Sequence, residues 1–193
     1  MDATDHEAAL RWLEDFARLL DTTGVTAALI GGQARNFWAE PRITRDFDFT
    51  VAPDRDPVLS LIEELHQRGY ISEREQGSDL PSGPDFARLI HPVSGDAIDL
   101  QSAKTPYQEG LLRRARRLEP SQLIAVATPE DLIVLKLLAY RSKDMIDLLA
   151  LGVIDGLDWP YIEHWAGFWE VTDRLAALRG MLAHDAAVGG RDF

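Results

Sequence analysis

"IGGQARNFWAEPRITRDFDFTV", residues 30–51, holds two adjacent glycines, Gly31 and Gly32, then thirteen residues, then Asp46-Phe47-Asp48. The segment Phe47–Ala52 reads as a strand. A strand alternates its faces, so Asp46 and Asp48 stand side by side while Phe47 and Phe49 point the other way. Two carboxylates held together repel each other and are costly to desolvate. A shared cation removes that cost, and hard oxygen donors suit Mg2+.

Outward from this stretch, "EAALRWLEDFARLLDTTG" carries Leu10, Leu13, Phe16, Ala17 and Leu20 at helical spacing and stops at Gly24. "VTAALI" reads as a buried strand running into Gly31-Gly32, and "GQARNFWAE" as a helix closed by Pro41. Asp56 is expected to cap a helix with Pro57 at its first position, closed by Gly69. "YISER" is a weak strand, "REQGSDLPSGPD" a loop, and "FARLIHPVSGDAIDLQ" two strands joined by a Pro-Val-Ser-Gly turn. Alternation on the second of these strands sets Ala97, Asp99 and Gln101 on one face and Ile98 and Leu100 on the other. "YQEGLLRRARRLEP" reads as helix and "LIAVA" as a short strand. Thr128 caps a helix with Pro129 at N1 and Asp131 at N3, and the pattern is helical from there on. Strands with helices come first and helices follow, which predicts an α/β core over residues 1–108 and a mainly helical region over 109–193.

Gly31, Gly32, Asp46, Asp48 and Asp99 form the first chemical constellation. Glycines let backbone N–H groups approach a phosphate, and the following helix adds its N-terminal dipole. Asp99, on another strand, would complete a three-carboxylate site for one or two metal ions.

The Gly-Gly turn, "DFD" and the later "IDL" resemble the signature of the DNA polymerase beta-type nucleotidyltransferase superfamily. More narrowly, "PRITRDFDF" and "TPEDLIVLKLLAYRSKDMIDL" are similar to AbiEii-type nucleotidyltransferases, many of them members of toxin–antitoxin or abortive-infection pairs. That branch is itself similar to small aminoglycoside nucleotidyltransferases. The resemblance spans roughly Ala27 to Leu151 and implies a mixed β-sheet core flanked by helices, with the C-terminal helices completing the active-site cleft. It implies that Gly31 and Gly32 hold the triphosphate of an NTP and that Asp46 and Asp48 bind both metal ions, Mg2+ or Mn2+. Asp99 would bind one ion and help deprotonate the acceptor hydroxyl. Arg42 and Thr44 would support the nucleotide, and Lys136 would reach the phosphates. Asp144 or Asp147 would be the late acidic residue. The family often has Arg directly before that Asp, where this chain has Lys143.

Spacing bears on the same residues. On one helix from Asp131 to Leu151, Lys136 and Asp147 lie eleven residues apart and share a face with Lys143; a break at "RSK" would spoil that geometry. A charged stripe with an i,i+4 Lys143–Asp147 pair is the plain alternative. Lys136, alone in "LIVLKLLAY", is expected either to reach solvent along its aliphatic stem or to serve a phosphate. Arg113, Arg114, Arg116 and Arg117 form the dense basic patch of "RRARR", suited to an RNA acceptor or to an acidic partner protein, or simply to a solvated helix surface.

Composition narrows the rest. The net charge of −12 argues against a general nucleic-acid footprint, so a polyphosphate site must be made locally. The absence of cysteine excludes disulfides, thiolate metal sites and cysteine nucleophiles. No secretory signal or membrane-spanning run is read, so the expected location is the cytoplasm. The five histidines show no metal-ligand spacing. The expected activity is transfer of a nucleoside monophosphate to an RNA or protein acceptor, with a cognate toxin or antitoxin as partner. The rivals are aminoglycoside modification and a non-catalytic, partner-binding role. Three acids kept on apolar strands count against the last.

Overall fold

In the computed structural model, which describes residues 3–77, 79, 83–119 and 122–189, the period-2 pattern of the opening stretch fixes the centre of the sheet. The elements run α1 (Ala3–Thr23), β1 (Ala27–Ile30), α2 (Gly31–Arg35), β2 (Asp46–Val51), α3 (Arg55–Gln67), β3 (Ile71–Gln76), β4 (Phe86–Ile90), β5 (Ala97–Ser102), α4 (Pro106–Arg114), β6 (Arg116–Arg117) and β7 (Ala125–Val126). The strands form one mixed sheet in the order β3-β4-β5-β2-β1-β7-β6. β2 pairs antiparallel with β1 and parallel with β5. These elements make up a compact unit of Met1–Phe37 with Pro41–Ala127; Trp38–Glu40 and Thr128–Phe193 make up a second.

Directly paired residues share a face of a sheet. Phe47, paired with Ile98, and Phe49, paired with Leu100, therefore line one face with Ala87 and Leu89, and all six are buried. Helix α1 covers this face. Trp12 stacks on Phe47 at 3.8 Å, and Phe16 packs against Phe49 at 4.7 Å. Burying each such ring stabilises the unit by roughly 1.5–3 kcal/mol, so a slip of one residue, which would turn both phenylalanines to the other face, is strongly disfavoured. α3 adds Val58, Leu61, Ile62 and Leu65 to the core.

Several boundaries differ from the sequence reading. α2 stops at Arg35 rather than running to Glu40. The Asn36 side chain donates to the Arg42 carbonyl at 2.8 Å and accepts from the Arg42 N–H at 3.1 Å, which closes a loop in place of further helix. α3 starts at Arg55, with Asp54 rather than Asp56 at the cap. The helix over "RRARR" ends at Arg114. Ala115 turns extended (φ −53°, ψ 141°), and Arg116-Arg117 pairs with Ala125-Val126 as an edge strand. The start of α4 carries a capping box, Thr105 with Gln108, that sequence reading passed over. The loop before β4 lies partly outside the described residues.

The second unit contains α5 (Pro129–Ala139), α6 (Ser142–Gly152), α7 (Trp159–Phe168) and α8 (Thr172–Gly189). Thr128 caps α5 as expected, accepting from the Asp131 N–H. α5 is apolar nearly all round, so it is buried by α6 and α7. The break weighed at "RSK" is present, so the single helix to Leu151 does not form: α6 starts at Ser142, and α5 ends at Tyr140, a left-handed residue (φ 46°, ψ 39°). Such a conformation costs a residue with a Cβ about 1–2 kcal/mol. Arg174 offsets it by donating to the carbonyls of Leu137 and Leu138 at 2.7 and 3.0 Å and by lying 4.9 Å over the Tyr140 ring.

Candidate active site

The face opposite Phe47 and Phe49 carries the acids. Register pairs Asp48 with Asp99 across the parallel β2–β5 ladder, and Asp46 stands two residues along on the same side. The Asp46 side chain is 47% exposed and that of Asp99 only 18%, so one is open to solvent and the other largely desolvated. Gly31 lies beside them with φ +69°, and a Cβ there would collide with the Asp48 carboxylate. The first glycine is thus required twice, by its backbone and by its neighbour. At Gly32, a Cβ would come within 3.0 Å of Thr44 Oγ1. The Gln33 side chain donates to the Thr44 carbonyl at 3.0 Å, and with the Asn36–Arg42 bonds it ties the Arg42–Thr44 segment to the glycine turn.

Sequence reasoning missed Arg88. The β4–β5 register pairs it with Asp99. Its Nη1 donates to both Asp99 oxygens at 2.8 Å, its Nη2 to Asp46 Oδ1 at 3.2 Å and its Nε to Glu73 Oε2 at 3.0 Å. Burial works against the arginine's charge, but Asp99 and Asp46 outweigh it and raise its pKa. Burial also lifts Asp99 above the ordinary carboxylate value, against the pull of Arg88. The signal was available: a tight turn at 91–96 pairs Ile90 with Ala97, and counting back two residues on each strand brings Arg88 to Asp99.

Asp46, Asp48 and Asp99 fit a hard divalent ion in donor type and in facing. Among the described residues no group of three such side chains is already gathered closely enough to hold a metal ion. The Arg88 guanidinium supplies positive charge to two of the three acids.

In the second unit, Lys136 Nζ lies 2.5 Å from Asp147 Oδ2 and 3.7 Å from Asp144 Oδ1, with all three side chains buried. The pair meets across the α5–α6 turn and not along one helix. Lys143 is exposed and does not join it. Asp144 is also held by Arg141, which donates from Nε at 2.8 Å, the backbone N–H at 3.0 Å and Nη2 at 3.2 Å. Burial pushes the Asp144 carboxyl up, but the hydrogen bonds and charge of Arg141, with Lys136, hold it below the ordinary value. A depressed carboxylate stabilises the fold above its unfolded pKa, about 3.9, and loses that contribution as pH falls toward the folded value. Asp144→Asn is therefore expected to melt below wild type at neutral pH, with a gap that narrows below about pH 4. A gap independent of pH in thermal melts would contradict this.

Residues 8–176 match the family described as "Nucleotidyltransferase of unknown function (DUF6036)". The chain belongs to this family of nucleotidyltransferases. Among solved structures, the nucleotidyltransferase resembles an antigenic nucleotidyltransferase-like protein from Paracoccidioides brasiliensis, with a TM-score of 0.61 at 14% identity over 97% of this chain and 93% of the other. It also resembles the antibiotic-resistance factor ANT(2″)-Ia in solution, with a TM-score of 0.60 at 15% identity over 95% and 100%. A crystal structure of ANT(2″)-Ia in complex with adenylyl-2″-tobramycin gives 0.53 at 12% identity over 90% and 98%. No curated protein sequence matches the chain. The mixed sheet flanked by helices is thus the nucleotidyltransferase fold that the superfamily resemblance implied. The narrower AbiEii-type likeness rests on the two motifs.

The arginine patch of this nucleotidyltransferase is not a single helical stripe. Arg113 and Arg114 lie in the last turn of α4, whereas Arg116 and Arg117 are consecutive on β6 and point to opposite faces. Arg117 donates to the carbonyls of Gln122 and Leu123, and Arg113 lies 4.0 Å from Glu109. No described helix is long and apolar enough to cross a membrane.

Proposed function

We propose that this nucleotidyltransferase moves a nucleoside monophosphate from an NTP to an acceptor hydroxyl on RNA or protein and releases pyrophosphate. The observation that carries this reading is the carboxylate face: Asp48 in register with Asp99, Asp46 beside them, and Gly31 packed against Asp48. Asp46, Asp48 and Asp99 would hold Mg2+ or Mn2+. Held by these carboxylates, such an ion would supply charge to the phosphate oxygens and favour ionisation of the attacking hydroxyl. Asp99 would take the hydroxyl proton, a role suited to a carboxyl whose pKa burial has raised. The acceptor oxygen forms its bond to the α-phosphorus as the bond from that phosphorus to the bridging oxygen breaks, and pyrophosphate leaves. The Gly31-Gly32 turn would present N–H groups to the triphosphate, with Arg42 and Thr44 supporting the nucleotide. Lys136, and Asp144 or Asp147, are assigned to the nucleotide by their motif.

The AbiEii-type motifs support a place in a toxin–antitoxin or abortive-infection pair in the cytoplasm, and a short regulator in the neighbouring reading frame would agree with it. The fold shared with ANT(2″)-Ia, whose structure contains adenylyl-2″-tobramycin, supports a second reading in which the acceptor is an aminoglycoside. Incubation with each α-labelled NTP, Mg2+ or Mn2+, and RNA, protein or aminoglycoside separates these readings by where the label goes. Label on none of them would overturn the transfer reading.

Arg113 and Arg116 test the acceptor further, because replacing both with Gln leaves the Arg117 carbonyl contacts in place. With an RNA acceptor, the variant should bind RNA less tightly and show a salt dependence flatter by about one unit per lost phosphate contact. NTP affinity should hold. Unchanged RNA affinity at every salt concentration would remove the arginines from acceptor binding. Loss of a protein complex with transfer retained would assign them to a partner.

A further inference from the structure

We propose that Arg88 is a positioning residue that takes the place of the divalent ion in the metal-free protein and must release Asp46 before the ion can bind. The proposal rests on the reading of Asp46, Asp48 and Asp99 as the metal ligands.

Arg88 does not reach the acids by chance. Ala87 and Leu89 are buried on the core face of β4, which commits Arg88 to the opposite face. Its guanidinium then spends each side of its fork on a different strand: Asp99 on β5, Asp46 on β2 and Glu73 on β3. Glu73 sits where the β3–β4 register shifts, between Ser72 and Arg74. An irregularity of this kind re-aims a side chain that regular alternation would send elsewhere. The sheet thus brings a third carboxylate to the arginine, from the strand on its other side.

Charge gives the arrangement a direction. Asp46, Asp99 and Glu73 carry three negative charges against one on the Arg88 they share, more than a single monovalent group neutralises. The contacts are also unequal. The bond to Asp46 is the longest at 3.2 Å, and Asp46 is far more exposed than Asp99. Asp46 is therefore the first ligand to come free, while Asp99 and Glu73 retain the guanidinium. Metal binding and the Arg88–Asp46 contact exclude each other, and removing Arg88 should tighten metal binding.

The test is Mn2+ binding to the full chain without nucleotide, followed by electron paramagnetic resonance. Arg88→Gln is expected to bind Mn2+ on the order of fivefold more tightly than wild type, the scale of a part-exposed ion pair. Metal-free, it should melt lower than wild type, and it should gain more in Tm when Mn2+ saturates it. Arg88→Lys, which keeps the charge and loses the fork, should fall between the two and serves if the glutamine variant does not fold. Equal or weaker Mn2+ binding in these variants overturns the proposal. Asp46→Asn, run alongside, should lose most Mn2+ affinity. If it binds like wild type, the metal assignment itself fails; if it loses binding while Arg88→Gln is unchanged, only the role of Arg88 falls.

Discussion

Asp48→Asn is expected to lower nucleotidyl transfer by at least about 100-fold, since even neighbours of metal ligands cost 10–100-fold when replaced. The fold should survive. Asp48 lies on the polar face of a strand whose register is set by Phe47 and Phe49 on the other side, stacked under α1. Asparagine keeps the shape against Gly31 and removes one charge from a crowded set, so the metal-free Tm should hold or rise slightly. Pyrophosphate release at saturating NTP and metal, together with a thermal melt, reads both effects. Transfer near the wild-type rate would remove Asp48 from the site.

Lys136→Ala is expected to destabilise the second unit by about 3–5 kcal/mol, the usual result of leaving one partner of a buried ion pair without the other. Lys136 and Asp147 are both buried and 2.5 Å apart, and Asp144 adds a second negative charge at 3.7 Å. The lysine therefore neither reaches solvent along its stem nor waits uncompensated for a phosphate. The double variant Lys136→Met with Asp147→Leu removes both charges and should recover most of the loss. Denaturant melts decide this, and additive losses in the double variant would contradict the pairing. The double variant also separates two roles. A folded protein with weakened NTP binding would leave Lys136 a nucleotide contact, and wild-type affinity would leave it a clamp between α5 and α6.

What could be read from the sequence was what depends on near neighbours. The alternation of Phe47 and Phe49 with Asp46 and Asp48 lies within a few residues, and so does the Thr128 cap. The α5–α6 break was harder, because "LIVLKLLAYRSKDMIDLL" reads as continuous helix former. Arg174, far along the chain, satisfies the last carbonyls of α5 there, and that contact is not visible in the local sequence. Lys136 and Asp147 share a face only if one helix runs through "RSK"; with the break there they meet across the turn between two helices. The end of α4 had the same difficulty: Ala115 to Arg117 leave the helix because β7, eight or more residues on, offers a strand to pair with. Arg88 was overlooked for a different reason. Its partners are Asp99, Asp46 and Glu73 on three other strands, and reading one strand at a time does not bring them together.

The most direct test of the carboxylate site is a crystal structure with Mn2+ and a non-hydrolysable NTP analogue, with the metal located by its anomalous scattering. The expected peak is bonded to Asp46 and Asp48, with Asp99 at its edge, the triphosphate beside Gly31 and Gly32, and Arg88 turned from Asp46 toward Glu73. A peak elsewhere, or nucleotide bound with Arg88 still donating to Asp46 and no metal on the carboxylates, would contradict it.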